Sequence, residues 1–182
     1  MSVRPARPAD APDIARVQVV TWRTAYRATL PAEVLDDWDE AAAAGTWATA
    51  ITAPPTPGHG VLVAVESDRV VGFAAHGPAE LTAEERPHPA GPSGELATLL
   101  VEPRWGRRGH GSRLLAAVTD LARAGGTARL QVWLPADDAA SAAFYESAGW
   151  ARDGWVRTLD TGGTPLREVR WHTLLGEEDE GR

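Results

Sequence analysis

The chain has 182 residues, 43% of them hydrophobic and 24% charged, enough to bury one core of ordinary size and too little for two. A formal net charge of −7 argues against a nucleic-acid binder, which needs a basic face to neutralise phosphates. Zero cysteines exclude a disulfide framework, a thiolate zinc site and a cysteine nucleophile. The elements are predicted in this order. Val3 to Ala6 is a short first strand, and Asp10 caps a helix to Ala28 in which Ile14, Val17 and Thr21 recur at helical spacing. Pro31, Val34, Leu35, Trp38 and Trp47 mark a second helical region, ended by the Pro-rich stretch Ala53–Gly60. Val61–Val65 and Val70–Ala75 flank the polar turn Glu66–Arg69 as a β-hairpin.

The segment from His76 to Gly94, rich in Gly, Pro and Glu, is a long connection that reads equally as a substrate lid or as disorder. Glu95–Val101 is a buried strand. After a basic, Gly-containing loop comes a helix, Ser112–Ala124, with Leu114, Leu115, Val118 and Leu121 on one face and Gly125-Gly126 at its end. Thr127–Leu134 is a strand. Asp137 or Asp138 caps a helix to Ala148, and Arg152–Asp160 with Leu166–Leu175 close the chain as a hairpin. Mixed order with hairpins argues for an α+β fold on a mixed sheet. Residues 1–176 are expected to form a single domain, with 177–182 an acidic, disordered tail. No apolar run nears the roughly 20 residues of a membrane span, and the first residues lack a secretory stretch. The expectation is a cytoplasmic protein with no membrane partner and no nucleic-acid partner.

All 18 basic residues are arginine, without a single lysine or asparagine, a bias that a GC-rich genome explains without function. Arginine carries meaning here only where it clusters. It does so in Arg104-Trp105-Gly106-Arg107-Arg108-Gly109-His110-Gly111, between a predicted strand and a predicted helix. Glycines there let the backbone turn sharply and approach a ligand, and a helix start presents unpaired N–H groups to a pyrophosphate. A P-loop needs a lysine, which the chain lacks, and a dinucleotide fingerprint needs glycine where Leu114 stands. A Gly-rich turn with solvated arginines is the bland alternative.

About thirty residues on stands Phe144-Tyr145-Glu146-Ser147-Ala148-Gly149-Trp150. With this segment added, the chain resembles the GNAT superfamily of acetyl-CoA-dependent N-acetyltransferases. That family shows a strand, an R/Q-x-x-G-x-G/A loop opening a helix, another strand, and a helix carrying F-Y-x-x-x-G-F. The opening Val3–Asp10 and closing Glu168-Val169-Arg170-Trp171 are similar to its first and last strands, so the likeness covers nearly the whole chain. The resemblance implies a three-layer α/β/α arrangement about a mixed, mostly antiparallel sheet of about seven strands with a bulge splay.

It also implies roles. Arg107, Arg108, Gly109, His110, Gly111 and Ser112 would wrap the coenzyme A pyrophosphate. Leu99, Leu100 and Val101 would pair with the pantetheine arm, and an N–H near Leu100 or Val101 would hold the oxyanion. Tyr145 stands where the family's phenol protonates the departing thiolate. Glu95, six residues before Val101, matches the catalytic glutamate of the histone-acetyltransferase branch, a base for an ammonium of pKa about 10. Its alternative is a solvated residue opening a strand. Asp138 and Ser141 replace the family's Asn and Ala near the coenzyme, Gly106 replaces Arg or Gln, and Trp150 replaces the last aromatic. Gly106 shifts the side-chain contribution to Arg107 or Arg108.

The five histidines have no metal-ligand spacing, so no metal is expected, and the serines lack triad partners. His110 reads as a replacement for a loop aliphatic. Trp22 and Tyr26, at i and i+4 on the first helix, line the acceptor pocket or pack in the core. The expected activity is transfer of acetyl from acetyl-CoA to a primary amine of a small molecule by direct attack. Transfer to a protein N-terminus or lysine, and a non-catalytic acyl-CoA-binding module, are the alternatives. The resemblance further implies a homodimer through sheet edges or the final strands.

Overall fold

The computed structural model describes residues 2–25, 27, 38–81, 84–160 and 165–176. Strand β1, Ser2–Pro5, is followed by a 3-10 turn at Pro8–Asp10 and by helix α1, Ala11–Ala25. Asp10 was expected to cap α1, but its carboxylate reaches back. It accepts from the Arg7 N–H at 2.7 Å and takes Arg4 in a two-pronged ion pair at 2.7 and 2.9 Å. The Arg4 hydrogen bond is the largest of the effects that hold the Asp10 carboxyl below its ordinary range. A depressed carboxyl stabilises the fold above its unfolded pKa and loses that contribution as pH falls through the folded value. Asp10→Asn is therefore expected to cost about 1–2 kcal/mol at neutral pH. The gap to the parent protein closes in acid below about pH 4, as denaturant melts at stepped pH would show.

Helix α2, Glu40–Thr52, draws on the helix-forming run Ala41–Ala44 and is capped by Asp39, which accepts from the Ala41 and Ala42 N–H groups at 2.8 and 3.0 Å. Trp38 precedes that cap and Trp47 lies within the helix; Pro31, Val34 and Leu35 of the expected second helix, with Ala28 and Tyr26 of the first, are outside the described residues. Strands β2, Gly60–Glu66, and β3, Arg69–Pro78, form the expected hairpin, its turn made by Ser67 and Asp68, both at positive φ. Strand β4 is Ser93–Val101.

Helix α3 spans His110–Ala124 and takes in two residues that the sequence assigned to the loop. It buries His110, Leu114, Leu115 and Val118, whereas Leu121, expected on that face, is 47% exposed. Gly126 at φ 77° ends it in a cap where Thr127 N–H bonds Ala122 O at 2.9 Å, so β5 starts late, at Arg129–Pro135. Helix α4, Ala139–Ser147, β6, Ala151–Leu159, and β7, Leu166–Leu174, complete the chain.

The seven strands form one mixed sheet in the order β1-β2-β3-β4-β5-β7-β6, with β4 and β5 parallel and the β1–β2, β2–β3, β5–β7 and β6–β7 pairs antiparallel. The architecture is α+β, as the order of elements predicted. Two compact units are resolved: the described residues of Met1–Gly77 with Thr98–Val118, and those of Pro78–Ala97 with Thr119–Arg182. In the first, Ile14 and Val17 of α1 pack on Val61, Val63, Val70 and Phe73. Each such side chain contributes roughly 1.5–3 kcal/mol by leaving water. Arg16 ties α1 to the strand ends by bonding Glu102 at 2.6 Å and Val70 O at 2.8 Å.

In the second unit, Leu130, Val132 and Leu134 bury one face of β5, and Arg129, Gln131 and Trp133 line the other. Strand β6 carries an irregularity between Arg152 and Val156, where Gly154 takes φ 90°. Three residues there oppose one on β7, and the bulge aims Asp153 at Arg129 and Arg170.

Candidate functional site

Glu102, almost fully buried, follows the last residue of β4, and its N–H bonds Val71 O at 2.9 Å. Gly72 lies so close to this strand that a Cβ would stand 2.8 Å from Leu100 O, which makes glycine the residue that permits the approach. Leu99, Leu100 and Val101 are half-buried. A 3-10 turn at Pro103–Trp105 leads into the basic loop.

In that loop Arg107 sits at φ 60° and Gly109 at φ 81°, two left-handed residues that swing the chain into α3. Among the described residues, the backbone N–H groups of Arg107, Arg108, Gly109, His110, Gly111 and Ser112 have no backbone acceptor. The first ordinary bond runs from Arg113 N–H to Gly109 O at 3.1 Å. Six donors and the positive end of a fifteen-residue helix thus meet at one turn. That set of groups suits a phosphate.

The arginines divide their work. Arg104 is bound to Glu102, so it belongs to the scaffold. Arg108 stacks over Trp105 at 4.8 Å and stands 3.8 Å from Glu66. Arg107 is exposed, with no partner among the described residues. His110 turns inward, 1% exposed, its Nε2 2.7 Å from Glu66 Oε2 though not aligned as a hydrogen bond. Its side chain is a core group, as the sequence suggested, and only its backbone N–H is left to a ligand.

In the second unit, Tyr145 is buried on α4, edge-to-face with Phe144 and with Trp150, each at 5.1 Å. Burial, with a smaller contribution from Asp138, pushes its phenol well above the ordinary range. The hydroxyl therefore stays protonated at neutral pH, the state an acid needs. Asp138 and Ser141 are brought together as the cap of α4: Asp138 accepts from the Ser141 N–H at 2.9 Å and from the Ser141 hydroxyl at 2.6 Å.

Glu95 stands beside Gln131 in the β4–β5 ladder, which runs Ser93↔Arg129 to Glu95↔Gln131 and ends there. Glu95 Oε2 accepts from Gln131 Nε2 at 2.9 Å. On the same face lies a charge network that the sequence reading missed. Arg129 binds Asp153, Gln131 Oε1 at 3.2 Å and His172 Nδ1 at 3.3 Å. Arg170, 2% exposed, binds Asp153 at 2.7 Å and also Glu85. Glu85 belongs to the long connection between β3 and β4, so a buried ion pair ties down part of the segment read as lid or disorder. A cleft of about 260 Å³ opens here, lined by Ser93, Arg129, Asp153, Arg170 and His172 among others. The available signal was the strict alternation of Arg129, Gln131 and Trp133 with Leu130, Val132 and Leu134, and of Glu168, Arg170 and His172 with Val169 and Trp171.

Burial, with the Arg129 charge next, lowers the His172 pKa. Because the guanidinium only donates, Nδ1 must accept and the proton sits on Nε2. In that tautomer Nδ1 has its lone pair engaged and Nε2 carries the proton, so the ring offers no free lone pair to a substrate. Trp22 lines a separate cleft of about 270 Å³ with Gln18, Trp38, Asp39 and Trp47. It meets Trp38 edge-on at 5.1 Å. Tyr26, paired with Trp22 in the sequence reading, lies outside the described residues.

The model of the acetyltransferase (GNAT) family matches residues 19–150. The chain is 31% identical over 171 residues to the uncharacterized N-acetyltransferase YuaI of Bacillus subtilis, covering 93% of this chain and 90% of that protein. Among solved structures it is similar to a ribosomal-protein-alanine N-acetyltransferase of Brucella melitensis, with 25% identity, TM-score 0.69 and coverage of 96% and 99%. It is also similar to yncA, an acetyltransferase of Salmonella typhimurium solved with acetyl-CoA, with 22% identity, TM-score 0.70 and coverage of 100% and 98%. Among the described residues no helix is long and apolar enough to cross a membrane, and no group of three or more His, Asp or Glu side chains could hold a metal ion.

Proposed function

The chain belongs to the acetyltransferase (GNAT) family, and on that premise we propose that it moves the acetyl group of acetyl-CoA to a primary amine of a small molecule. The observation that carries the reading is the run of N–H groups over residues 107–112 that have no backbone acceptor among the described residues, at the head of α3 and beside Arg107, which has no partner among those residues either. Those groups bind the pyrophosphate, with Arg107 supplying the side-chain charge that Gly106 lacks. Asp138 and Ser141 act on the coenzyme through the start of α4, since their side chains are spent on each other.

Glu95 removes a proton from the acceptor ammonium, directly or through water. The freed amine forms the N–C bond as the C–S bond breaks, and an N–H near Leu100 or Val101 holds the carbonyl oxygen while its charge develops. Tyr145 gives its proton to the departing sulfur and regains one as the new amide loses its own. With no cysteine to carry an acyl group, the transfer is direct, in a ternary complex. The Trp22 cleft is of a size to take the acceptor's body.

A second reading, acetylation of a protein N-terminus, is favoured by the likeness to the Brucella enzyme named for ribosomal-protein alanine. The test begins with calorimetric titration of acetyl-CoA into the parent protein and into Gly111→Glu, which puts a carboxylate into the phosphate turn. The parent binds and the variant loses affinity by about 100-fold or more if the turn is the site. Thiol release is then followed with spermidine, free amino acids, kanamycin and an alanine-initiated peptide. The protein itself adds no thiol background. Turnover with the peptide alone would select the second reading, and binding without any turnover would mark an acyl-CoA-binding module.

A further inference from the structure

The buried amide of Gln131 has one allowed orientation. Arg129 Nη1 faces one end at 3.2 Å, and a guanidinium can only donate, so that end must be the carbonyl oxygen. The amide nitrogen is thereby turned to Glu95, where it donates to Oε2 at 2.9 Å. Glu95 Oε1 has no hydrogen-bond partner among the described residues. One carboxylate oxygen is held and the other is left for a substrate.

Arg129 is itself fixed. Its guanidinium is bound to Asp153, and Asp153 is delivered by the β6 bulge at Gly154. Asp153 also takes Arg170 at 2.7 Å and the Trp155 N–H at 3.1 Å, while Arg170 passes over the rings of Trp133 and Trp155. Side chains this enclosed have little freedom to turn: Gln131 is 0% exposed, Arg170 2% and Arg129 5%. A glutamine in this place is expensive for a sheet core unless both ends of its amide are bonded, and both are.

We propose that Gln131 is the positioning residue for Glu95, with Arg129 setting the amide's direction and the β6 bulge holding Arg129. The proposal rests on the reading of Glu95 as the general base. Gln131 does not touch the reacting atoms. It selects the Glu95 oxygen that faces the amine and keeps the carboxylate from rotating away.

The test is a double-mutant cycle with the best primary amine of the panel above, on protein checked for acetyl-CoA binding by calorimetry. Gln131→Leu is expected to lower kcat roughly 10- to 100-fold while the KM for acetyl-CoA moves less than about 3-fold. In the Glu95→Gln background the same change is expected to cost less than about 2-fold, because the group to be positioned is gone. Should Gln131→Leu fail to fold, Gln131→Glu retains a bond from Arg129 but replaces the donor with an acceptor facing Glu95, and the same pattern is expected. Full kcat in Gln131→Leu or Gln131→Glu beside an impaired Glu95→Gln overturns the positioning role and spares the base. Losses that multiply across the cycle overturn it as well. Undiminished kcat in Glu95→Gln alone removes the base reading and, with it, this proposal.

Discussion

Replacing Tyr145 by phenylalanine is expected to lower kcat by roughly 10- to 1000-fold while acetyl-CoA affinity changes less than about 3-fold. The change deletes one oxygen and leaves the ring, whose packing against Phe144 and Trp150 holds the end of α4. A phenol with a raised pKa is a reluctant acid toward a thiolate in water. The enclosure that raises the phenol also raises the proton affinity of a thiolate formed beside it, so the mismatch narrows in the site. Steady-state kinetics with calorimetry separates the two quantities. Unchanged turnover removes Tyr145 from the chemistry, and equal losses in turnover and binding make it a packing residue.

Changing Glu95 to glutamine is expected to lower turnover by about 10²- to 10³-fold at neutral pH. The loss should ease as pH rises toward the amine's own pKa of about 10, because a growing share of acceptor arrives without the proton. Glutamine keeps the shape of the side chain and can still meet the Gln131 amide, so the fold around β4 and β5 should stand. The measurement is a pH–rate profile for both proteins under saturating acetyl-CoA. A loss that holds constant across the range would instead indicate that Glu95 orients the acceptor.

Much of this protein is legible in its sequence, for a local reason. Glycines at positive φ, a Pro-free run such as Ala41–Ala44, and apolar residues at helical or alternating spacing each act within a few residues of where they stand. The order of strands and helices, the turn at Ser67-Asp68, the glycine- and arginine-rich loop and a cap at Asp137 or Asp138 all follow from such short-range rules, and the structure selects Asp138. So does the family, whose motifs are written in contiguous residues from Arg104 to Gly111 and from Phe144 to Trp150.

Errors arose where a short-range signal had two outlets. Asp10 could cap a helix or pair with Arg4, and a two-pronged bond to an arginine on β1, six residues earlier, prevailed. Leu121 matched the apolar stripe of α3, yet the packing ends at Val118. The tertiary structure alone decided the Glu95 neighbourhood. Gln131 lies 36 residues along the chain from Glu95, and Asp153 lies 24 from Arg129. Strand register and one bulge set those meetings, and register is a property of the assembled sheet that no window of sequence contains.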